Sequence, residues 1–159
     1  MSPVTTRSAA ETEAVGESLA AFAVPGLSLF ISGELGAGKT TFVRGFLRGL
    51  GWRGKVGSPT FTLIEPYEAA SVPVYHFDLY RLRTPDELEA IGFRDYFDGR
   101  GVCVVEWPER AGTLLAQPDL QVELRIHGSD RSISFLERSD TGRQLLRQAF
   151  PAGKVPLPV

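Results

Sequence analysis

The apolar and polar positions of the chain change rhythm in a regular order. Residues 27–32 form a nearly continuous apolar run, the composition of a strand buried on both faces. Behind it, residues 41–50 carry apolar positions at helical spacing, and Gly51 ends that helix. Ahead of it, Ser8-Ala9-Ala10-Glu11 is a capping box, followed by Ala14, Leu19, Ala20 and Phe22, so a helix is predicted over about 8–22. Residues 61–64 and the aromatic-rich 74–82 predict strands. Thr84-Pro85-Asp86-Glu87 starts a short helix that ends near Ile91-Gly92, and residues 94–97 predict a further short turn or helix. Residues 102–106 predict a buried strand. Residues 120–127 and 132–137 predict a hairpin around Gly128-Ser129-Asp130-Arg131. A closing helix is predicted over 141–150, and the three prolines of 151–159 predict a flexible tail. No repeat or long linker divides the chain, so residues 1–150 are expected to be one α/β domain.

Composition narrows the class. Of 159 residues, 43% are hydrophobic and 23% charged, ordinary for a soluble globular protein. No apolar run has the length of a membrane span, and residues 1–17 lack the pattern of a signal peptide, so a cytoplasmic protein with no membrane contact is expected. The single cysteine, Cys103, excludes a disulfide framework and a cysteine-rich metal site; it is expected to be a small buried hydrophobe. A net charge of −2 argues against a strongly basic nucleic-acid binder, and leaves room for RNA held mainly by a partner.

The chemistry is carried first by Gly33-Glu34-Leu35-Gly36-Ala37-Gly38-Lys39-Thr40, which fits G-x-x-x-x-G-K-[ST]. A predicted strand precedes it and a predicted helix follows, as a phosphate cradle requires: backbone N–H groups and the helix dipole point at the anion. Lys39 is placed to reach the outer phosphates, and the Thr40 hydroxyl to ligate Mg²⁺. Ser58-Pro59-Thr60 is a hydroxyl-bearing turn, either an ordinary one or one that senses a terminal phosphate. His76 and Asp78 lie two apart on one strand face. An acid on an apolar strand is costly to bury unpaired, which makes Asp78 a functional candidate; for His76, with no implied metal partners, a structural role is favoured. Glu106 ends an apolar strand, where the Mg²⁺-holding acid of phosphate-loop proteins sits, usually as aspartate. Trp107 either joins the core or packs beside the site.

Four segments in order, the glycine loop through Thr41, Ser58-Pro59-Thr60-Phe61-Thr62-Leu63, His76-Phe77-Asp78-Leu79-Tyr80-Arg81 and Val105-Glu106-Trp107-Pro108, resemble the TsaE family of small bacterial P-loop ATPases. The resemblance covers roughly residues 12–135. It implies a P-loop NTPase-like three-layer sandwich, with a mixed sheet that is parallel at its core and carries antiparallel additions. It implies service in the synthesis of threonylcarbamoyladenosine beside the anticodon of tRNA, with ATP/ADP and Mg²⁺ bound. The implied partner is a TsaB–TsaD heterodimer in which TsaD transfers the threonylcarbamoyl group; tRNA is met indirectly, through the complex. ATP hydrolysis, weak without the partners, would reset the complex between turnovers. Carried onto this chain, Glu34, Leu35, Gly36, Ala37, Gly38, Lys39, Thr40 and Thr41 would wrap the phosphates, and Thr40 with Glu106 would hold Mg²⁺. Asp78 would act near the γ-phosphate with Lys39, Thr60 would lie in a switch-like turn, Trp107 beside the site, and Thr12 near the adenine. Glu34 departs from the family's frequent aspartate but keeps its charge, and the proline-rich end has no counterpart.

Two other classes stay open on these residues: a small-molecule kinase, with Arg81 and Arg83 as a lid, although capping or flanking the short Thr84 helix is the favoured reading of these two arginines, and a nucleotide-dependent binding module with incidental hydrolysis. A GTPase is disfavoured, because no Asn-Lys-x-Asp segment occurs.

Overall fold

In the computed structural model, which describes residues 1–57, 59, 62–69 and 72–158, the apolar run becomes β2, Ser28–Ser32, near the middle of one sheet. The other strands are β1, Val4–Thr6; β3, Ile64–Glu68; β4, Pro73–Asp78; β5, Val102–Glu106; β6, Leu120–His127; and β7, Asp130–Glu137. The helices are α1, Ala9–Ala20; α2, Lys39–Gly49; α3, Asp86–Ala90; and α4, Asp140–Ala149. Sheet order is β1-β7-β6-β2-β5-β4-β3. Strands β6, β2, β5 and β4 run parallel, with antiparallel β3 added at one edge and antiparallel β7 and β1 at the other.

The period of two along each strand divides the core. Leu29, Ile31, Val74, Val102 and Val104 face one side and pack with Leu19, Phe42, Phe46 and Leu145 of α1, α2 and α4. Phe30, Phe77, Cys103 and Val105 face the other and pack with Leu88 of α3, Phe93 and Ala111. The result is the expected α/β three-layer sandwich with a parallel core and antiparallel additions. Cys103 is buried as expected, and that burial pushes its thiol pKa up to about 12.

Helices α1 and α2 approach closely enough that a Cβ on Gly45 would lie 2.0 Å from the Glu13 carbonyl oxygen. Gly45→Ala gains helix propensity of about 1 kcal/mol. The backbone clash outweighs it, and a net loss of about 1–3 kcal/mol is expected, read as a lower urea midpoint. An unchanged midpoint would show that the helices part freely.

Several boundaries differ from the sequence reading. The strand expected at 61–64 lies instead at Ile64–Glu68, paired to β4 from Ile64↔Phe77 to Glu68↔Pro73, with Leu63 just before it at a left-handed φ of 63°; Phe61 lies outside the described residues. β4 stops at Asp78, and the chain turns, with the Leu82 N–H donating to the Leu79 carbonyl at 3.0 Å. β7 begins at Asp130, because His127 pairs with Asp130 across a two-residue loop. β1 was not expected at all. At the other end, Val155 and Leu157 lie half-buried against the main core. Among the described residues, no helix is long and apolar enough to cross a membrane.

Candidate nucleotide-binding site

The C-terminal ends of the parallel strands β2, β4 and β5 meet at one side of the sheet, where ligands bind in open α/β folds. From β2 the chain passes through residues 33–38 into α2. Gly36 and Gly38 take φ of 81° and 100°, open to glycine at no steric cost. Gly38 is the N-cap and supplies no side-chain bond, so the first amides of α2 keep donors available to an anion.

Lys39 folds back over this loop. Its Nζ donates to the carbonyls of Gly33 at 2.7 Å and Glu34 at 2.8 Å, and lies 4.3 Å from the Trp107 ring centroid. Burial lowers its pKa; Glu106, Asp78, Glu109 and Glu34 pull the other way. Trp107 holds this place with a left-handed φ of 57°, costly for a bulky residue, and its ring packs 4.9 Å from that of Tyr80.

Next to Lys39, the Thr40 hydroxyl donates to the Glu106 carboxylate, 3.1 Å from Oε2 and 3.3 Å from Oε1. Glu106 is buried, and its Oε2 also lies 2.5 Å from Nε2 of fully buried His76. Asp78 stands opposite Glu106 in the β4–β5 register, so both carboxylates project from one face. Asp78 Oδ1 accepts from the Tyr80 N–H at 3.0 Å.

An open cleft of about 640 Å³ gathers Leu35, Gly36, Gly38, Lys39, Thr40, Thr41, Asp78, Glu106 and Trp107 of the predicted residues. Glu34 and Ala37 do not line it: the Glu34 carbonyl accepts from both Lys39 and the Ala37 N–H, and Ala37 is buried in the core. Thr12 lines a smaller hollow of about 170 Å³, which shares Gly36, Gly38 and Thr41 with the cleft. Its hydroxyl is bonded to Thr6 Oγ1 at 2.8 Å, so it offers a wall more than a free donor. Thr60 lies outside the described residues.

Sequence reasoning missed Tyr80 as a cleft residue and left Arg81 as a helix flank, though both line the cleft. It also missed Arg131, whose guanidinium donates to the Gly36 carbonyl at 3.3 Å from the far end of the chain. Local sequence gives that contact no signal. His76 carried one, its shared face with Asp78, but not the identity of its partner. Among the described residues, no group of three or more His, Cys, Asp or Glu side chains could hold a metal ion. Thr40 and Glu106 remain as a pair of oxygen donors.

The family model "Threonylcarbamoyl adenosine biosynthesis protein TsaE" matches residues 6–133. The chain is 48% identical over 126 residues to the tRNA threonylcarbamoyladenosine biosynthesis protein TsaE of Bacillus subtilis, covering 79% of this chain and 78% of that one. It is 42% identical over 120 residues to the Haemophilus influenzae protein of the same name, covering 76% of each. The crystal structure of Bacillus subtilis YdiB aligns with a TM-score of 0.80 at 36% identity, covering 93% of both chains. A family match across most of the domain, together with a structural likeness that extends over the same sheet and loop, leaves one assignment: the chain belongs to the TsaE family of threonylcarbamoyl adenosine biosynthesis proteins.

Proposed function

We propose that the chain binds ATP with Mg²⁺ and hydrolyses it to ADP and phosphate as a component of threonylcarbamoyladenosine synthesis on tRNA, acting with a TsaB–TsaD heterodimer. The observation that carries this reading is the meeting of Thr40 and Glu106 at 3.1 Å beside the Lys39 ammonium, at the mouth of a glycine loop. A hydroxyl and a carboxylate suit Mg²⁺, which takes one or two protein oxygens and completes its shell with water and phosphate oxygens. When bound, Mg²⁺ would neutralise charge on the β- and γ-phosphates.

The residues of the chain do the rest. Amides at the start of α2 receive the phosphate oxygens, and Lys39 exchanges the Gly33 and Glu34 carbonyls for them. Asp78, opposite Glu106, accepts a hydrogen bond from the attacking water and points its lone pair at the γ-phosphorus. The water oxygen bonds to phosphorus as the bridging bond to ADP breaks, and the proton leaves with phosphate and solvent. Such transfer is mostly positioning and electrostatics, so a partner that orders a loop or adds a cation turns a slow hydrolase into a working one. The absence of a guanine-reading Asn-Lys-x-Asp segment favours ATP over GTP.

The test is phosphate release with and without TsaB–TsaD and tRNA. Slow turnover alone and faster turnover with the partners are expected. Equal turnover in both cases contradicts the proposal, and ADP release that depends on a small acceptor without those partners favours a kinase. Asp78→Ala should keep ATP affinity and lower turnover about 10²-fold or more. A matching loss of affinity would make Asp78 a binding residue.

A further inference from the structure

His76 is fully buried on β4, on the face that carries Asp78 and opposite Val104 of β5. Its neighbours on that face, Val74 and Val104, belong to the apolar core. Burying an imidazole there is costly unless its nitrogens are bonded. Only one is: Nε2 lies 2.5 Å from Glu106 Oε2, whereas Nδ1 is buried with no hydrogen-bond partner among the described residues. An ionised carboxylate only accepts, so Nε2 carries the proton and Nδ1 the lone pair; the tautomer is assigned from this geometry. A residue selected for packing would be apolar or bonded at both ends. Here the single bond goes to the carboxylate that Thr40 also contacts.

We propose that His76 is a positioning residue: its Nε2–H holds the Glu106 carboxylate turned toward Thr40, so that the oxygen pair for the divalent ion is set before nucleotide arrives. The inference rests on the Mg²⁺–ATP reading above. Without that bond only the Thr40 hydroxyl and the surrounding packing orient the Glu106 carboxylate, so the oxygen pair is less firmly set before binding. Hydrogen bonds of this kind, made behind a ligand, commonly change metal affinity about 10- to 100-fold.

Two variants separate positioning from packing. A glutamine amide nitrogen reaches about as far as Nε2; an asparagine amide stops near Nδ1. Mn²⁺, visible by electron paramagnetic resonance, is titrated into the full chain saturated with ADP. His76→Asn should weaken protein-bound Mn²⁺ about tenfold or more, and His76→Gln should stay within about threefold of wild type. ADP affinity in chelator should be unchanged in both. Equal Mn²⁺ affinity in wild type and His76→Asn overturns the inference and leaves the nucleotide reading standing. Absence of protein-bound Mn²⁺–ADP in wild type overturns both. The imidazole ¹⁵N spectrum of unliganded wild type needs no variant to fold: protonated Nε2 and bare Nδ1 are expected, and the opposite tautomer overturns the proposal.

Discussion

Replacing Lys39 with alanine is expected to lower partner-stimulated kcat/KM for ATP by about 10²- to 10³-fold, the usual effect of removing one preorganised charge contact to a transferring phosphoryl group. The same change should barely alter the fold. Lys39 loses two hydrogen bonds to Gly33 and Glu34, but a partly desolvated ammonium also disappears. Its lowered pKa means that the unfolded chain holds this proton more tightly than the native one, so the group adds stability only as pH rises through the lowered value toward 10.5. At neutral pH, where both states hold the proton, the desolvated charge therefore does not favour folding. Thermal unfolding without nucleotide should shift by only a degree or two, at about 4 °C or less per kcal/mol for a chain of this size. The stabilisation that ADP gives the wild type should vanish. A large fall in the melting temperature of the free protein, with ADP stabilisation retained, would show that Lys39 supports the loop and not the ligand.

Glu106→Gln is expected to be nearly as severe, for a different reason. The amide keeps the shape and still accepts from the Thr40 hydroxyl and from His76, so the buried environment stays bonded. What is lost is the negative charge that the proposed site would offer to Mg²⁺. Turnover should fall about 10²-fold or more at ordinary Mg²⁺, with partial recovery as Mg²⁺ is raised. Nucleotide binding in chelator should match wild type. Alanine is the less informative change, because it strands His76 and Thr40 without a partner in the interior. Full activity of Glu106→Gln at low Mg²⁺ would remove Glu106 from the metal site.

How much was legible in the sequence follows from where the information lies. β5 and β6 were placed at their observed ends, β5 as an apolar run closed by Glu106 and β6 as an eight-residue stretch whose buried positions alternate. The glycine loop was legible because its spacing is itself the geometry: Gly38 must adopt a left-handed cap and Lys39 must follow. β1 was invisible. Three residues carry no period, and their strand form comes from pairing with Ile133, Ser132 and Arg131. The displaced β3 has a related cause. Residues 61–64 read as the strand, whereas the stretch that does pair contains Pro66, a residue that weakens any strand signal. Trp107 was named as a neighbour of the site, but its left-handed backbone and its stacking over Lys39 depend on how the chain leaves β5. His76 was weighed against a bland role and assigned to it, because a partner 30 residues away is decided by the parallel pairing of β4 with β5.

The two edges of the sheet restrict how other chains can assemble on it. The Asp78 N–H bonds to the Leu63 carbonyl, which puts the odd-numbered residues of β3 in the bonded pairs and turns the nitrogen of Pro66 outward. The outer edge of β3 therefore lacks a donor at its midpoint and is flanked by exposed Glu65 and Glu68. At the opposite edge β1 offers only three residues. Proline, charge and shortness are the means by which sheets resist edge-to-edge aggregation. They also disfavour strand addition as a route of association, which leaves the loops and helices, among them those that surround the cleft, as the surfaces open to a partner protein.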